Sequence, residues 1–314
     1  MPILILGIIL ILLILSIIVT AYFFDTVIKS DSLVRRMRKT VREEPPEGEF
    51  FVRMREAGKA EDVYMQSEDG LLLHALRIFA EDDPDGKKWA VICHGYTGNS
   101  RRMADYAELF YRLGLSTLSV DMRGHGESEG KYRGFGWQDS FDICDWTDWL
   151  IEHYGDDIRV AYFGLSMGGA TVMNASGHDL PANVRCIIED CGYTSTKDIL
   201  KYSMKKRHGL PSFPLLNELS LMTRIFAGYS LRKDGNALKQ VKESVTPILF
   251  IHGEADDFVP FKMVKKLYKN AGSEKELYTV ENAAHCESLK TDESVYFQTI
   301  SDYLERHFDI AEKA

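Results

Sequence analysis

The sequence is short of cysteine and of positive charge, and its first 24 residues carry no charged side chain. The five cysteines, Cys93, Cys144, Cys186, Cys191 and Cys286, are odd in number and lack Cys-x-x-Cys spacing. That excludes a disulfide framework and argues against a zinc site, so they read as reduced core thiols, and neither a metal nor a cofactor is expected. Lys and Arg number 38 against 47 Asp and Glu, a formal charge of −9, and no basic face interleaved with aromatics occurs. Nucleic acid is therefore excluded as a partner. There is also no internal repeat and no low-complexity tract, so the 314 residues must build their own core.

The most informative stretch present is Gly164-Leu165-Ser166-Met167-Gly168, which follows the apolar run 159–163 and precedes the small-residue run 169–173. A serine at a strand-to-helix turn with glycine two residues to either side is a nucleophile elbow: the turn projects Oγ out of the sheet, and only tiny flanking residues let strand and helix approach. Such a serine needs a base and an acid that orients the base, and in the fold that carries this elbow they follow it in the order acid, histidine, each in the loop after a late strand. The apolar run 245–251 leads into His252-Gly253-Glu254-Ala255-Asp256-Asp257, where Asp256 is the expected acid. Asp257 is the alternative, and Asp190, at the end of the run 187–190, is a third. The run 276–280 leads into Asn282-Ala283-Ala284-His285, and His285 is the expected base because it lies in the right loop in the right order. His94, His125 and His252 read as structural.

Expected strands at 62–67, 71–79, 89–94, 116–121, 160–163, 184–189, 246–252 and 277–280 alternate with helical patterns at 102–113, 138–153, 261–270 and 292–308. This alternation implies an α/β fold, a mostly parallel eight-stranded sheet with helices on both faces. Glu68-Asp69-Gly70 is a hairpin signal that puts an antiparallel pair at one edge. From about Asp62 to Phe308 the chain resembles the α/β-hydrolase family: His94-Gly95-Tyr96 is similar to its oxyanion turn, and Asp121-Met122-Arg123-Gly124-His125-Gly126-Glu127-Ser128 to the segment that follows. Within that family it most resembles the bacterial esterase and serine aminopeptidase-like branch, which includes cinnamoyl esterases and membrane-anchored hydrolases. It differs from the dehalogenase and epoxide hydrolase branches, which carry aspartate where this chain has Ser166. The resemblance assigns an oxyanion hole to the backbone N–H groups of Tyr96 and Met167, and a small helical cap to about 194–240, where the strand and helix rhythm breaks. Phe213, Leu215, Met222 and Phe226 in that stretch are expected to bind the acyl part of a substrate.

Residues 2–24 form an almost continuous aliphatic run, long enough to cross a bilayer and without the basic n-region or small-residue cleavage site of a signal peptide. Tyr22, Phe23 and Phe24 would lie at the membrane interface, with Lys29, Arg35, Arg36, Arg38, Lys39 and Arg42 just beyond. The expected organisation is a single-pass transmembrane anchor at 1–24, a juxtamembrane basic segment and linker at 25–60, and a catalytic domain at 61–314. The basic flank implies a cytoplasmic catalytic domain on the cell membrane. The expected function is a membrane-anchored serine hydrolase cleaving a small-molecule carboxylic ester through a Ser-His-Asp triad and an acyl-enzyme. A serine peptidase of the same fold and a catalytically silent scaffold are the alternatives.

Overall fold

A computed structural model describes residues 1–33 and 47–308. The basic positions Arg35, Arg36, Arg38, Lys39 and Arg42 and most of the expected linker lie outside the described residues. The strands are β1 (Ala60–Gln66), β2 (Leu72–Ile78), β3 (Lys88–Cys93), β4 (Ser116–Val120), β5 (Arg159–Leu165), β6 (Val184–Asp190), β7 (Ile248–Gly253) and β8 (Lys275–Val280). They form one sheet in the order β1-β2-β4-β3-β5-β6-β7-β8. β2 pairs antiparallel with β1 and β4, and every other pairing is parallel. The chain moves from β3 outward to β4 and then returns past β3 to β5. The strand order therefore reverses at β3, and a crevice opens beyond the carboxyl ends of β3 and β5, where sheets of this kind bind ligands.

Alternating strand side chains divide the core into two layers. On one face Val91, Tyr162 and Phe250 pack with helices α4 (Gln138–Tyr154), α5 (Met167–Ala175), α8 (Ala237–Glu243) and α9 (Lys262–Asn270). On the other, Ile92, Phe163, Ile188 and Ile251 pack with α2 (Glu49–Glu56), α3 (Ala104–Arg112) and α11 (Glu293–Phe308), the last preceded by the short α10 (Ser288–Thr291). Two helices, α6 (Thr196–His208) and α7 (Leu215–Phe226), lie between β6 and β7 as a cap. α6 starts at Ser195, whose Oγ accepts the Asp198 amide at 3.1 Å, and stops at Gly209, whose φ of 63° suits a residue without Cβ.

The N-terminal helix α1 (Pro2–Phe23) is long and apolar enough to cross a membrane, and it continues through a π-helical turn, Phe24–Ile28. Residues 1–15 are exposed, but the helix then docks. Phe23, Phe24 and Ile28 are buried in a third apolar cluster with Met204, Leu215, Leu216, Leu219, Tyr229 and Leu231. Ser16 Oγ and Thr20 Oγ1 donate to the two carboxylate oxygens of Glu218 at 2.8 and 2.7 Å. The segment after it is stitched to the body by Arg133 N–H to the Ile28 carbonyl and Ser30 N–H to the Lys131 carbonyl. The expected boundary after residue 24 therefore falls inside a packed unit, because the last turns of α1 complete the core of the cap.

Candidate active site

Ser166 sits between β5 and α5 with φ 58° and ψ −107°, a conformation that costs an L-residue energy and is held by its surroundings. Two glycines make the turn possible. A Cβ on Gly164 would lie 2.1 Å from the Gly168 carbonyl oxygen, and one on Gly168 would lie 2.1 Å from that of Cys93. Any side chain at either position would push α5 away from the sheet.

The loops after β7 and β8 bring the other two groups to the serine. Ser166 Oγ lies 2.8 Å from His285 Nε2, and His285 Nδ1 lies 2.7 Å from Asp256 Oδ2. The remaining Asp256 oxygen accepts the amides of Phe258 and Val259, both at 2.8 Å, so the carboxylate is fixed in orientation before it meets the imidazole. The other acids considered are elsewhere: Asp257 is exposed, and buried Asp190 accepts from Ser288 Oγ and Tyr296 OH at 3.1 and 3.0 Å. His252 is structural, with Nε2 on the Val259 carbonyl, and His94 Nε2 accepts the Met122 amide.

Met167 is the first residue of α5, so its N–H has no carbonyl one turn back within the helix to bond. The His94-Gly95-Tyr96 turn is beside it, since a Cβ on Gly95 would stand 3.6 Å from Ser166 Cβ. Tyr96 and Met167 both line the cavity at Ser166, about 280 Å³ in volume. A larger groove of about 760 Å³, with Lys29, Asp69 and Arg123 on its walls, holds neither Ser166 nor His285.

The acyl-site residues expected from the sequence are not in the Ser166 cavity. Phe213 is 73% exposed at the start of α7, Leu215 is buried in the cap core, Met222 packs against that core, and Phe226 is 55% exposed with its ring 5.6 Å from Phe24. α7 turns these side chains away from the serine and only Leu219 toward it. The apolar wall comes instead from Ile199, Leu200 and Met204 of α6, from Leu219, and from Phe23 and Val27 of the N-terminal segment.

Two further features carried no sequence signal. Phe258 stacks on His285 with ring centres 4.5 Å apart and planes 7° apart, and the Arg207 guanidinium carbon lies over the Phe258 ring, 3.7 Å from its centre. Cys191 and Cys286 meet at 3.6 Å between sulfurs. Burial lowers the His285 pKa, but the hydrogen bond to Asp256 and the Cys286 sulfur outweigh it and carry the imidazole up to about 9. A general base must be unprotonated to act, so with His285 in that role turnover should rise with pH through that value. Cys286→Ala removes one of the raising groups and should move the acidic limb of the pH–rate profile to lower pH; a limb that stays in place would show that Asp256 alone sets it.

Residues 84–205 match the family described as serine aminopeptidase, S33. The protein YqkD of Bacillus subtilis is 29% identical over 222 residues, 71% of this chain and 72% of its own. The α/β hydrolase domain-containing protein WAV2 of Arabidopsis thaliana is 27% identical, covering 79% of each chain. Among solved structures, the Pyrococcus furiosus esterase Pf2001 superposes with a TM-score of 0.66 at 22% identity, covering 84% of this chain and 97% of that one. Est1E of Butyrivibrio proteoclasticus, solved with ferulic acid bound, gives 0.62 at 20% identity, covering 78% and 99%. Sheet order, elbow geometry and these likenesses agree: the chain has the α/β-hydrolase fold and is similar to hydrolases of the esterase and S33 type.

Proposed function

We propose that this protein is a membrane-anchored serine hydrolase that cleaves carboxylic esters. The observation that carries the reading is the continuous chain of hydrogen bonds from Ser166 through His285 to Asp256. In this reaction His285 Nε2 takes the Ser166 proton as Oγ attacks the acyl carbonyl, and Asp256 holds the proton on Nδ1 and stabilises the imidazolium. The tetrahedral oxyanion is met by the N–H groups of Tyr96 and Met167, the second at a helix N-terminus whose dipole favours negative charge. His285 then protonates the leaving alkoxide, and water repeats the cycle on the acyl-enzyme.

The cavity chemistry favours an ester over a peptide with a free amino terminus. Such a terminus is cationic and needs a carboxylate, whereas among the described residues the cavity at Ser166 is lined by apolar, hydroxyl, histidine and arginine side chains and by no Asp or Glu. Labelling by a fluorophosphonate, followed by a panel of p-nitrophenyl esters against aminoacyl anilides, tests both points. Anilide turnover above ester turnover would reverse the assignment, and absence of labelling would leave a silent scaffold.

Membrane attachment is supported by the same packing that blurs the domain boundary. Cleavage of α1 as a signal sequence would remove Phe23 and Phe24 from the cap core, so α1 is read as a retained anchor. The basic residues that follow α1 favour retention of that side in the cytoplasm, and five unpaired thiols suit a reducing compartment. Protease treatment of intact cells should accordingly leave the catalytic domain undigested, and digestion only after lysis is the expected result. Loss of the domain from intact cells would place it outside.

A further inference from the structure

The uncharged apolar run of α1 extends to Phe24, and residues 2–15 of it stand clear of the body. The two turns that follow are packed on α7, so the depth that those turns occupy in a bilayer is shared by α7. The two helices run in the same direction, since Ser16 and Thr20 bond Glu218 while Phe24 meets Phe226 further along both. The start of α7, with Phe213, therefore points the way α1 points.

The outward face of α7 suits that depth. Leu221 and Ile225, one turn apart, are 59% and 65% exposed, with Phe213 and Phe226 at the two ends and Asn217 as a polar member between. The Glu218 carboxylate, which would be costly near lipid, is directed inward onto two hydroxyls of α1. Positive charge gathers toward the other end: Arg224, one residue before Ile225, is exposed on a side chain long enough to reach up to the headgroups, and Lys205, Lys206 and Arg207 are exposed at the end of α6, beside the His208 ring, which lies 5.2 Å from Phe23. That places a cationic cluster level with the aromatic residues of α1, where anionic headgroups would be.

The cavity is built against the same segment. Phe23 and Val27 form part of its wall, and Tyr96, whose amide belongs to the proposed oxyanion hole, donates its hydroxyl to the Val27 carbonyl at 2.8 Å. We propose that the cap is seated in the bilayer that α1 crosses, with the outer face of α7 in lipid, and that the substrate is a lipophilic ester whose acyl chain passes from the membrane into the Ser166 cavity beside Phe23. The substrate class rests on the esterase reading; the seating of the cap does not.

The test uses the full chain reconstituted in vesicles of phosphatidylcholine with phosphatidylglycerol. A Leu221→Trp variant should lose more tryptophan emission than the parent when the lipids are brominated in their acyl chains. Leu221→Glu/Ile225→Glu should cut hydrolysis of p-nitrophenyl laurate dissolved in the vesicles by about tenfold or more, because a charge at lipid depth is costly. The same variant should hydrolyse water-soluble p-nitrophenyl acetate at the parent's rate. Equal quenching in parent and Leu221→Trp, or laurate and acetate activities both unchanged by the double substitution, overturns the proposal. If the double variant loses acetate activity through misfolding, the Leu221→Trp quenching decides. Failure of the esterase reading looks different: neither ester is cleaved by the parent and fluorophosphonate does not label it, while the quenching still reports where the cap sits.

Discussion

Ser166→Ala is expected to lower kcat on a p-nitrophenyl ester by about 10⁶-fold, and His285→Ala by a similar factor, because members of a nucleophile–base pair act as a unit. Neither change touches the core: the serine hydroxyl faces a cavity, and His285 lies in a loop stacked on Phe258. Unchanged thermal unfolding should accompany the loss. Asp256→Asn is expected to cost about 10⁴-fold for a different reason. With one oxygen still accepting the amides of Phe258 and Val259, the new NH₂ group faces His285 Nδ1 and donates to it, which moves the ring proton to Nε2 and leaves nothing to accept the serine proton. Asp257→Asn, at an exposed position, should behave as the parent. A Ser166→Ala enzyme retaining a tenth of parental turnover, or Asp257→Asn more damaging than Asp256→Asn, would remove this triad from consideration.

What could be read from the sequence was whatever a few adjacent residues determine. The elbow is such a case, since the steric need at Gly164 and Gly168 is met within five residues and the flanking strand and helix are strongly patterned. Strand edges were legible for the same reason: the expected 184–189 and 116–121 differ by a single residue from Val184–Asp190 and Ser116–Val120. The lining of the Ser166 cavity was not legible, because helical spacing tells which side chains of α7 share a face and not which element lies opposite that face. Phe213 and Phe226 have the composition of a pocket and the placement of an outer surface. The second role of α1 was hidden by its apolarity, which reads the same for a helix surrounded by lipid and for one half-docked on protein. Ser16 and Thr20 were the available signal: two hydroxyls four residues apart mark one face of an otherwise aliphatic helix, and that face meets Glu218.

Two truncations should separate these roles of α1. Removing residues 1–15 takes away only exposed turns and should leave both fluorophosphonate labelling and thermal unfolding near those of the full chain. Removing residues 1–28 takes Phe23, Phe24 and Ile28 out of the cap core, and each fully buried side chain of this size is worth about 1.5–3 kcal/mol. Their combined loss is comparable with the roughly 5–15 kcal/mol by which a domain is stable. It is accompanied by loss of the acceptors for Arg133 N–H and Tyr96 OH, beside the proposed oxyanion turn. The longer truncation should therefore yield aggregated or unlabelled protein, with any folded fraction melting well below the parent. A residue 29–314 chain that melts and labels like the full protein would mean that α1 is only a tether and that the cap holds its shape, and the cavity its wall, without it.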